Sequence, residues 1–245
     1  LFMPLKQKYN WGSDMSYKFA GMNSYPQKDI MSLKITKNFK FSQIRDHFDN
    51  KVESNTQIKR VKDHFKLNDL DTIIIGGGDT IRKHRSAIFT FFNKNCKNYN
   101  FIFSSLKHSE LINPDMDNLF QIIIGSDYDK IDTNITKKLY YILPNPVNIN
   151  NYKALSLQNV FSLSDKNNTK ETFIHLESSL TLVSKISSSK KVLMLGFDGY
   201  DNKSKFFNVF RKNEEIFKNF QGKLKIVSLT DTIYSINKDS IYPYL

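Results

Sequence analysis

The sequence predicts an α/β protein: a Rossmann-like three-layer domain with a mainly parallel sheet, preceded by a short helical segment. Three observations support this prediction. From about residue 55 onward, short runs rich in Ile, Val and Phe alternate with longer segments of helical periodicity. Several of these runs end in glycine or in short polar residues. Continuous apolar strands between helices are typical of a parallel sheet that is buried on both faces.

Residues 1–54 differ from the rest of the chain and are predicted to form short helices. Ser13 or Asp14 is a candidate cap for the first helix, Pro26 precedes the second, and Gln43 precedes the third. Their apolar faces need another domain or chain to pack against, so we interpret residues 1–54 as a segment that does not fold as an independent domain. Residues 55–245 are predicted to be the Rossmann-like ligand-binding domain.

The strands and helices of the main domain can be assigned in chain order. The predicted strands lie at residues 71–78, 100–105, 120–125, 139–143, 159–163, 191–196 and 224–228. The predicted helices lie at residues 80–92, 170–186 and 204–220, each with apolar residues three or four positions apart.

The net charge of +12 and the isoelectric point near 9.5 leave two interpretations open. A basic surface attracts polyanions or phosphorylated small molecules. Alternatively, lysine is abundant throughout the chain and its side chains are simply solvated. Because the lysines form no single run and no nucleic-acid-binding motif accompanies them, we expect no nucleic-acid partner.

The sequence shows no sign of a membrane span, a signal peptide or an internal disulfide. No stretch approaches the roughly 18 apolar residues that span a bilayer, and the first residues lack a signal-peptide pattern. The single cysteine, Cys96, excludes an internal disulfide. We therefore expect a soluble, cytoplasmic protein without a membrane span. The first residue is Leu rather than Met, which leaves open whether the chain is a fragment of a longer protein.

The sharpest motif is the glycine run that ends the first long strand. Backbone N–H groups of a glycine-rich strand end, placed at a helix start, can approach an anion closely. In open α/β sheets, ligands bind at such carboxyl ends of strands. The alternative is a tight turn without a ligand, since neither G-x-G-x-x-G nor a Walker A motif is complete. The candidate phosphate-binding residues are Gly76, Gly77, Gly78, Asp79, Thr80 and Arg82.

Two further loops carry candidate polar contacts. Ser126 and Asp127 follow the 120–125 strand, where they suit a ribose or sugar hydroxyl, or simply cap the next element. Asn145 stands between two prolines and can both donate to and accept from a base or sugar, although a plain proline turn is the alternative.

The last candidate loop follows the strongest late strand. Asp198 is placed to bind a hydroxyl or a divalent ion, or to cap the helix after Asn202. Its glycine neighbours permit a turn that most residues resist. The candidate residues of this loop are Gly196, Asp198, Gly199 and Tyr200.

No catalytic constellation can be assigned. The five histidines show neither H-x-H nor H-E-x-x-H spacing, so no metal ligands are predicted. No Ser-His-Asp or Cys-His arrangement is recognisable in the sequence, and the catalytic residues remain unknown. Cofactors are likewise not specified.

Both ends of the chain resemble a known group of proteins. The N-terminal stretch resembles the segment that closes the catalytic barrel of hydroxymethylglutaryl-CoA-lyase-like and 4-hydroxy-2-oxovalerate-aldolase-like proteins of bacterial surface-polysaccharide clusters, which carry an extra α/β domain. The residues concerned are 2–6, Tyr9-Asn-Trp-Gly12, Tyr17, Gly21-Met-Asn23, Tyr25-Pro26 and Gly196-Phe-Asp-Gly-Tyr200. The resemblance implies a divalent-metal-dependent carbon–carbon lyase in the intact protein. The aspartate–arginine and H-x-H motifs of that group are absent here, so we expect no aldolase activity of this chain.

The main domain also resembles, more loosely, bacterial sialyltransferase-like and pterin-diphosphokinase-like Rossmann domains. Their Gly-Pro-Ser after the first strand is replaced by Gly78-Asp79-Thr80. The resemblance implies a nucleotide or nucleotide-sugar ligand.

We therefore expect a C-terminal accessory domain that binds a nucleotide, nucleotide sugar or sugar phosphate in surface-carbohydrate synthesis. A glycosyltransferase using a nucleotide-activated sugar is one alternative, and a structural or oligomerising domain is the other. An aldolase-type barrel or a second copy of the chain is the expected protein partner of residues 1–54.

Overall fold

A computed structural model describes residues 59–113, 115–124, 127, 139–144, 159–163 and 174–245. The predicted helical segment 1–54, Ser126 and Asn145 lie outside the described residues. The helix predicted from residue 170 is described from residue 174 onward.

Strands and helices alternate along the described chain. The strands are β1 (Lys59–Arg60), β2 (Asp71–Ile75), β3 (Tyr99–Phe103), β4 (Asn118–Ile122), β5 (Leu139–Leu143), β6 (Val160–Ser162), β7 (Lys191–Leu195), β8 (Lys225–Ser228) and β9 (Asn237–Lys238). The α-helices are α1 (Val61–His64), α2 (Thr80–Lys83), α3 (Arg85–Asn95), α4 (His175–Ile186) and α5 (Phe207–Gln221). Short 3₁₀ helices cover Leu106–Leu111 and Tyr242–Tyr244.

The described strands form one nine-stranded sheet in the order β1-β6-β5-β4-β3-β2-β7-β8-β9. All of its described pairings are parallel, which confirms the predicted α/β architecture. The central strand β2 pairs Ile75 with Phe103 of β3 on one side and with Leu195 of β7 on the other. The three strands therefore end at the same level of the sheet.

Alternate residues of each central strand enter two separate cores, because successive side chains of a strand point to opposite faces. Ile73 and Ile75 belong to the core beneath α3, whereas Ile74 belongs to the core beneath α4 and α5. The α3 helix contributes Phe91 and Phe92 to the first core. Helices thus cover both faces, and the three-layer arrangement explains why the central strands read as continuous apolar runs.

Two of the predicted helices have different boundaries in the structure. The helix predicted at residues 80–92 is two helices, because His84 leaves helical geometry with φ −106° and ψ 19°. The helix predicted from Ser204 begins at Phe207, because the preceding residues form a turn in which Phe207 N donates to Ser204 O. No helix among the described residues is both long and apolar enough to cross a membrane.

Candidate functional site

The strand order places a topological switch point between β2 and β7. From β2, strands β3 to β6 continue toward one edge of the sheet, and β7 to β9 continue toward the other. Helix α3 follows β2 on one face, and α5 follows β7 on the opposite face. Ligands of open α/β sheets bind at the carboxyl ends of the strands at such a point. We call the region between loops 76–80 and 196–200 the switch-point crevice.

The two loops of the crevice are in direct backbone contact. Gly76 N donates to Leu195 O at 2.8 Å, and Gly78 N donates to Gly196 O at 2.8 Å. A Cβ atom added at Gly76 would lie 2.5 Å from Gly196 O, and one at Gly78 would lie 2.2 Å from a carboxylate oxygen of Asp198. Both glycines are therefore required for the close approach of the loops. Their N–H groups hold the loops together and already donate hydrogen bonds to carbonyl oxygens of the protein.

Asp198 joins the end of β7 to the start of α2. Thr80 N donates to Asp198 Oδ2 at 3.0 Å, and the Thr80 hydroxyl donates to Asp198 Oδ1. The carboxylate thus satisfies one of the free N–H groups at the beginning of the helix, as a capping side chain does. It acts on a helix 118 residues earlier in the chain, rather than on the helix that follows Asn202.

The turn after β7 uses two glycines in the left-handed region. Gly196 has φ +70° and Gly199 has φ +89°, conformations that side chains rarely adopt. A Cβ atom at Gly199 would lie 2.4 Å from Cγ1 of Ile233. The turn therefore brings the following residue, Tyr200, to the surface beside the crevice, where its side chain is exposed.

The loop after β3 forms the other wall of the crevice, and the sequence analysis did not identify it. Lys107 Nζ donates to Gly77 O at 2.8 Å and to Asp79 Oδ1 at 2.9 Å. His108, which is fully buried, places Nε2 3.1 Å from Gly78 O. Because a carbonyl oxygen only accepts, Nε2 is the donor of this hydrogen bond. The carbonyl groups of the glycine loop are therefore held by two side chains of the β3 loop.

Opposite charges meet at the mouth of the crevice. Hydrogen bonding and proximity to Lys107 lower the pKa of Asp79, and Arg82 lowers the pKa further. The Asp79 and Lys107 side chains remain 72% and 41% exposed, so both are accessible to a ligand. Arg82 is also exposed. An anionic ligand would therefore meet two cations and one competing carboxylate.

A histidine–aspartate pair lies at the carboxyl end of β4. His175 Nε2 is 2.8 Å from Asp127 Oδ2, and the same oxygen accepts from Ile124 N at 3.3 Å. The Asp127 side chain is only 16% exposed, whereas that of His175 is 42% exposed. A fixed carboxylate that binds one ring nitrogen orients the imidazole, which is the arrangement of a general base.

The described residues contain no group of three or more His, Cys, Asp or Glu side chains that could hold a metal ion. No protein-family model matches the chain, and no curated protein is significantly similar to it. The candidate site therefore rests on geometry alone. That geometry brings the loops at Gly76–Thr80 and Gly196–Tyr200 together. Asp127 lies near the end of β4, two strands away from β2.

Lys107, His108 and His175 were the polar residues that sequence reasoning missed. The only sequence indication for Lys107 and His108 was their position directly after the 100–105 strand. His175 pairs with a residue 48 positions away, and no spacing rule connects such residues.

Proposed function

We propose that the domain binds a phosphorylated or nucleotide-linked sugar in the switch-point crevice. The observation that carries the proposal is the adjacency of two glycine loops at the switch point between β2 and β7. The glycines bring the loops together, and their conformation leaves Asp79, Lys107 and Tyr200 at the mouth of the crevice. A few polar groups that converge at the carboxyl ends of neighbouring parallel strands suit a small polar ligand.

Side-chain cations, rather than a cradle of glycine N–H groups, would bind the phosphate. The N–H groups of Gly76 and Gly78 already donate to the β7 side. Lys107 instead donates to Asp79, and the Lys107 side chain is 41% exposed. A phosphate carries more negative charge than a carboxylate and accepts more hydrogen bonds, so it would displace Asp79 from Lys107. Arg82 would add a second positive charge at the same rim.

The accessory role follows from the resemblance of residues 2–26 and 196–200 to the aldolase-like proteins. In this proposal, a barrel contributed by another part of the protein performs the lyase reaction with its divalent metal. The present domain supplies ligand binding and has no aldolase activity alone.

A ligand screen with matched variants tests the proposal. Nucleotides, nucleotide sugars and sugar phosphates are compared by thermal shift and calorimetry, with and without Mg²⁺. A ligand at about 100 times its Kd stabilises the fold by about 2.7 kcal/mol. We expect Lys107→Ala to weaken binding and Asp79→Ala to strengthen it, because the second change removes the competing carboxylate. Lys225→Ala, which removes a lysine at the amino end of β8, is the charge-matched control.

The results of this screen separate the proposal from a structural role for the glycine loops. Binding of no compound in any class would refute it. Equal losses of ligand affinity in Lys107→Ala and Lys225→Ala would also refute it, because binding would then depend only on the overall charge of the protein.

The Asp127–His175 pair favours one alternative, a transferase that acts on a nucleotide-activated sugar. An imidazole oriented by a carboxylate can remove the proton from an acceptor hydroxyl as the new glycosidic bond forms. Incubation with nucleotide sugars and sugar acceptors would then release the nucleotide. His175→Asn should abolish turnover but leave ligand binding intact. Binding without turnover in the unaltered protein would favour the accessory domain.

A further inference from the structure

Exposed apolar side chains are concentrated beside the switch-point crevice. Six large hydrophobic residues are exposed among those that the structure describes, and three of them lie near the ends of β7 and β8. Tyr200 is 39%, Phe206 45% and Ile233 54% exposed. We call these three side chains the apolar rim. Exposed apolar patches on soluble domains commonly mark binding surfaces.

The apolar rim stands next to a row of stacked rings. The Phe207 and Phe210 rings are 5.6 Å apart with an interplanar angle of 16°, and Phe210 stacks on Tyr234 at 5.0 Å and 15°. Tyr234 is buried, and its hydroxyl oxygen accepts from Asn213 Nδ2 at 2.8 Å. Because Tyr234 is buried, the motion of the rings stacked on it is restricted. The loop that carries Phe206 is therefore attached to a rigid base.

Direct contacts join the apolar rim to the crevice. Ile233 N donates to Asp198 O at 3.0 Å, and Asp198 also binds Thr80 at the opposite wall. The Tyr200 and Phe206 ring centroids are 5.3 Å apart, with an interplanar angle of 46°. The apolar rim and the crevice therefore adjoin at Asp198.

We propose that the apolar rim is a stacking subsite for a nucleobase, so that the crevice selects nucleotide-bearing ligands over simple sugar phosphates. This inference rests on the proposed function. Aromatic rings stack on the face of any nucleobase, and a positive charge nearby attracts the phosphate of the same nucleotide. Lys205 Nζ lies over one face of the Phe206 ring, 5.0 Å from its centroid, so it supplies that charge and a base would stack on the opposite face.

The size and surroundings of the rim favour a base over a protein partner. A specific protein interface buries about 800 Å² on each partner, which requires roughly 20–30 residues. The rim consists of three side chains, with Lys203 and Lys205 on the same loop. A single planar ring with a phosphate matches both the small apolar area and the adjacent positive charge.

The test compares ligands with and without a base. Calorimetry with UMP, CMP, AMP and GMP is set against ribose 5-phosphate. We expect at least one nucleotide to bind about 5- to 150-fold more tightly, the range that stacking of one base provides. Phe206→Ala should reduce its affinity toward that of ribose 5-phosphate and leave ribose 5-phosphate binding unchanged. Phe206→Trp should preserve the preference, because a larger ring still stacks.

The controls separate this inference from the proposed function. Leu67→Ala removes an exposed apolar side chain that precedes β2, at the other end of the sheet, and should leave all affinities unchanged. Ile233→Ala repeats the test with a second rim residue if Phe206→Ala does not fold. Tight ribose 5-phosphate binding without a preference for nucleotides would overturn the stacking subsite and leave the crevice intact. Binding of neither class would overturn both. A monomer–dimer change in Phe206→Ala with unaltered nucleotide affinity would overturn the subsite in favour of a protein contact.

Discussion

Asp198 and Thr80 are 118 residues apart in the sequence and are joined by two hydrogen bonds across the switch-point crevice. Thr80 is 3% exposed and Asp198 is half-buried, so both bonds are partly shielded from water. One carboxylate thereby fixes the start of α2, the end of β7 and the separation of the two glycine loops. The predictions below follow from this connection and from its surroundings.

Replacement of Asp198 by Ala should destabilise the fold by about 1–3 kcal/mol, because Thr80 N and its hydroxyl would lose their acceptors in a buried position. Asp198→Asn should cost less, since its amide oxygen can still accept from Thr80 N. Urea unfolding measures both changes. Asp231→Ala, which removes an exposed carboxylate from the loop after β8, should change the free energy of unfolding by less than about 0.5 kcal/mol. Equal effects of Asp198→Ala and Asp231→Ala would show that the connection does not stabilise the fold.

Alanine at two glycines should have opposite effects on stability. At Gly78 the new Cβ atom would lie 2.6 Å from Gly196 O and would displace the Asp198 carboxylate, so we expect a loss of about 1–3 kcal/mol. At Gly222, which has φ −73°, no atom lies within 4 Å of the new Cβ. Gly222→Ala should therefore stabilise the protein by about 0.4–1 kcal/mol, because it restricts the unfolded chain. Thermal unfolding of the pair tests the prediction, which fails if Gly78→Ala is tolerated as well as Gly222→Ala.

The pKa of Asp79 should depend on Lys107. The lysine lowers this pKa from its ordinary value of 3.8. The ion pair therefore stabilises the folded state above about pH 4, and this stabilisation disappears as the pH falls through the lowered pKa. Carboxyl NMR titration of Lys107→Met should show the Asp79 pKa returning toward 3.8. Because both side chains are exposed, 1 M NaCl should weaken the effect in the unaltered protein. Lys83→Met is the control; an identical rise in that variant would contradict the assignment.

Ionisation of Tyr234 should make the fold sensitive to alkaline pH. Burial raises the pKa of Tyr234 to about 12, whereas an unfolded tyrosine ionises near 10. The folded state is thus favoured below pH 10, and its advantage from this group declines by about 1.4 kcal/mol per pH unit between pH 10 and 12. The stability difference between the unaltered protein and Tyr234→Phe, measured by urea unfolding from pH 9 to 11, should narrow accordingly. Tyr242→Phe, at an exposed ring, serves as the control. A constant difference over this range would contradict the prediction.

Periodicity was sufficient to predict the architecture because the main strands carry local information. Runs such as Ile73–Ile75 are apolar on both faces, and this pattern is typical of strands covered by helices on both sides. By contrast, the strands β1 and β9 have two residues each and are too short to show a hydrophobic pattern. Their presence follows from pairing with β6 and β8. The break at His84 was likewise absent from the helical pattern of residues 80–92.

The candidate site was only partly predictable. Glycines at strand ends identified both loops, because glycine permits a left-handed turn, as at Gly196, and the close approach of two backbones, as at Gly76. Lys107, His108 and the Asp127–His175 pair gave no such indication. Lysine and histidine are common on surfaces, and their roles here depend on partners that are at least 28 residues away.

The sequence by itself determined the alternation of strands and helices, the parallel character of the sheet and the position of the glycine loops. Each of these depends on neighbouring residues along the chain. Only the tertiary structure decided that β7, rather than another strand, adjoins β2, and that Asp198 therefore contacts Thr80. The physical reason is that strand order is set by the packing of whole helices on the two faces of the sheet. A short sequence motif contains no information about such distant contacts.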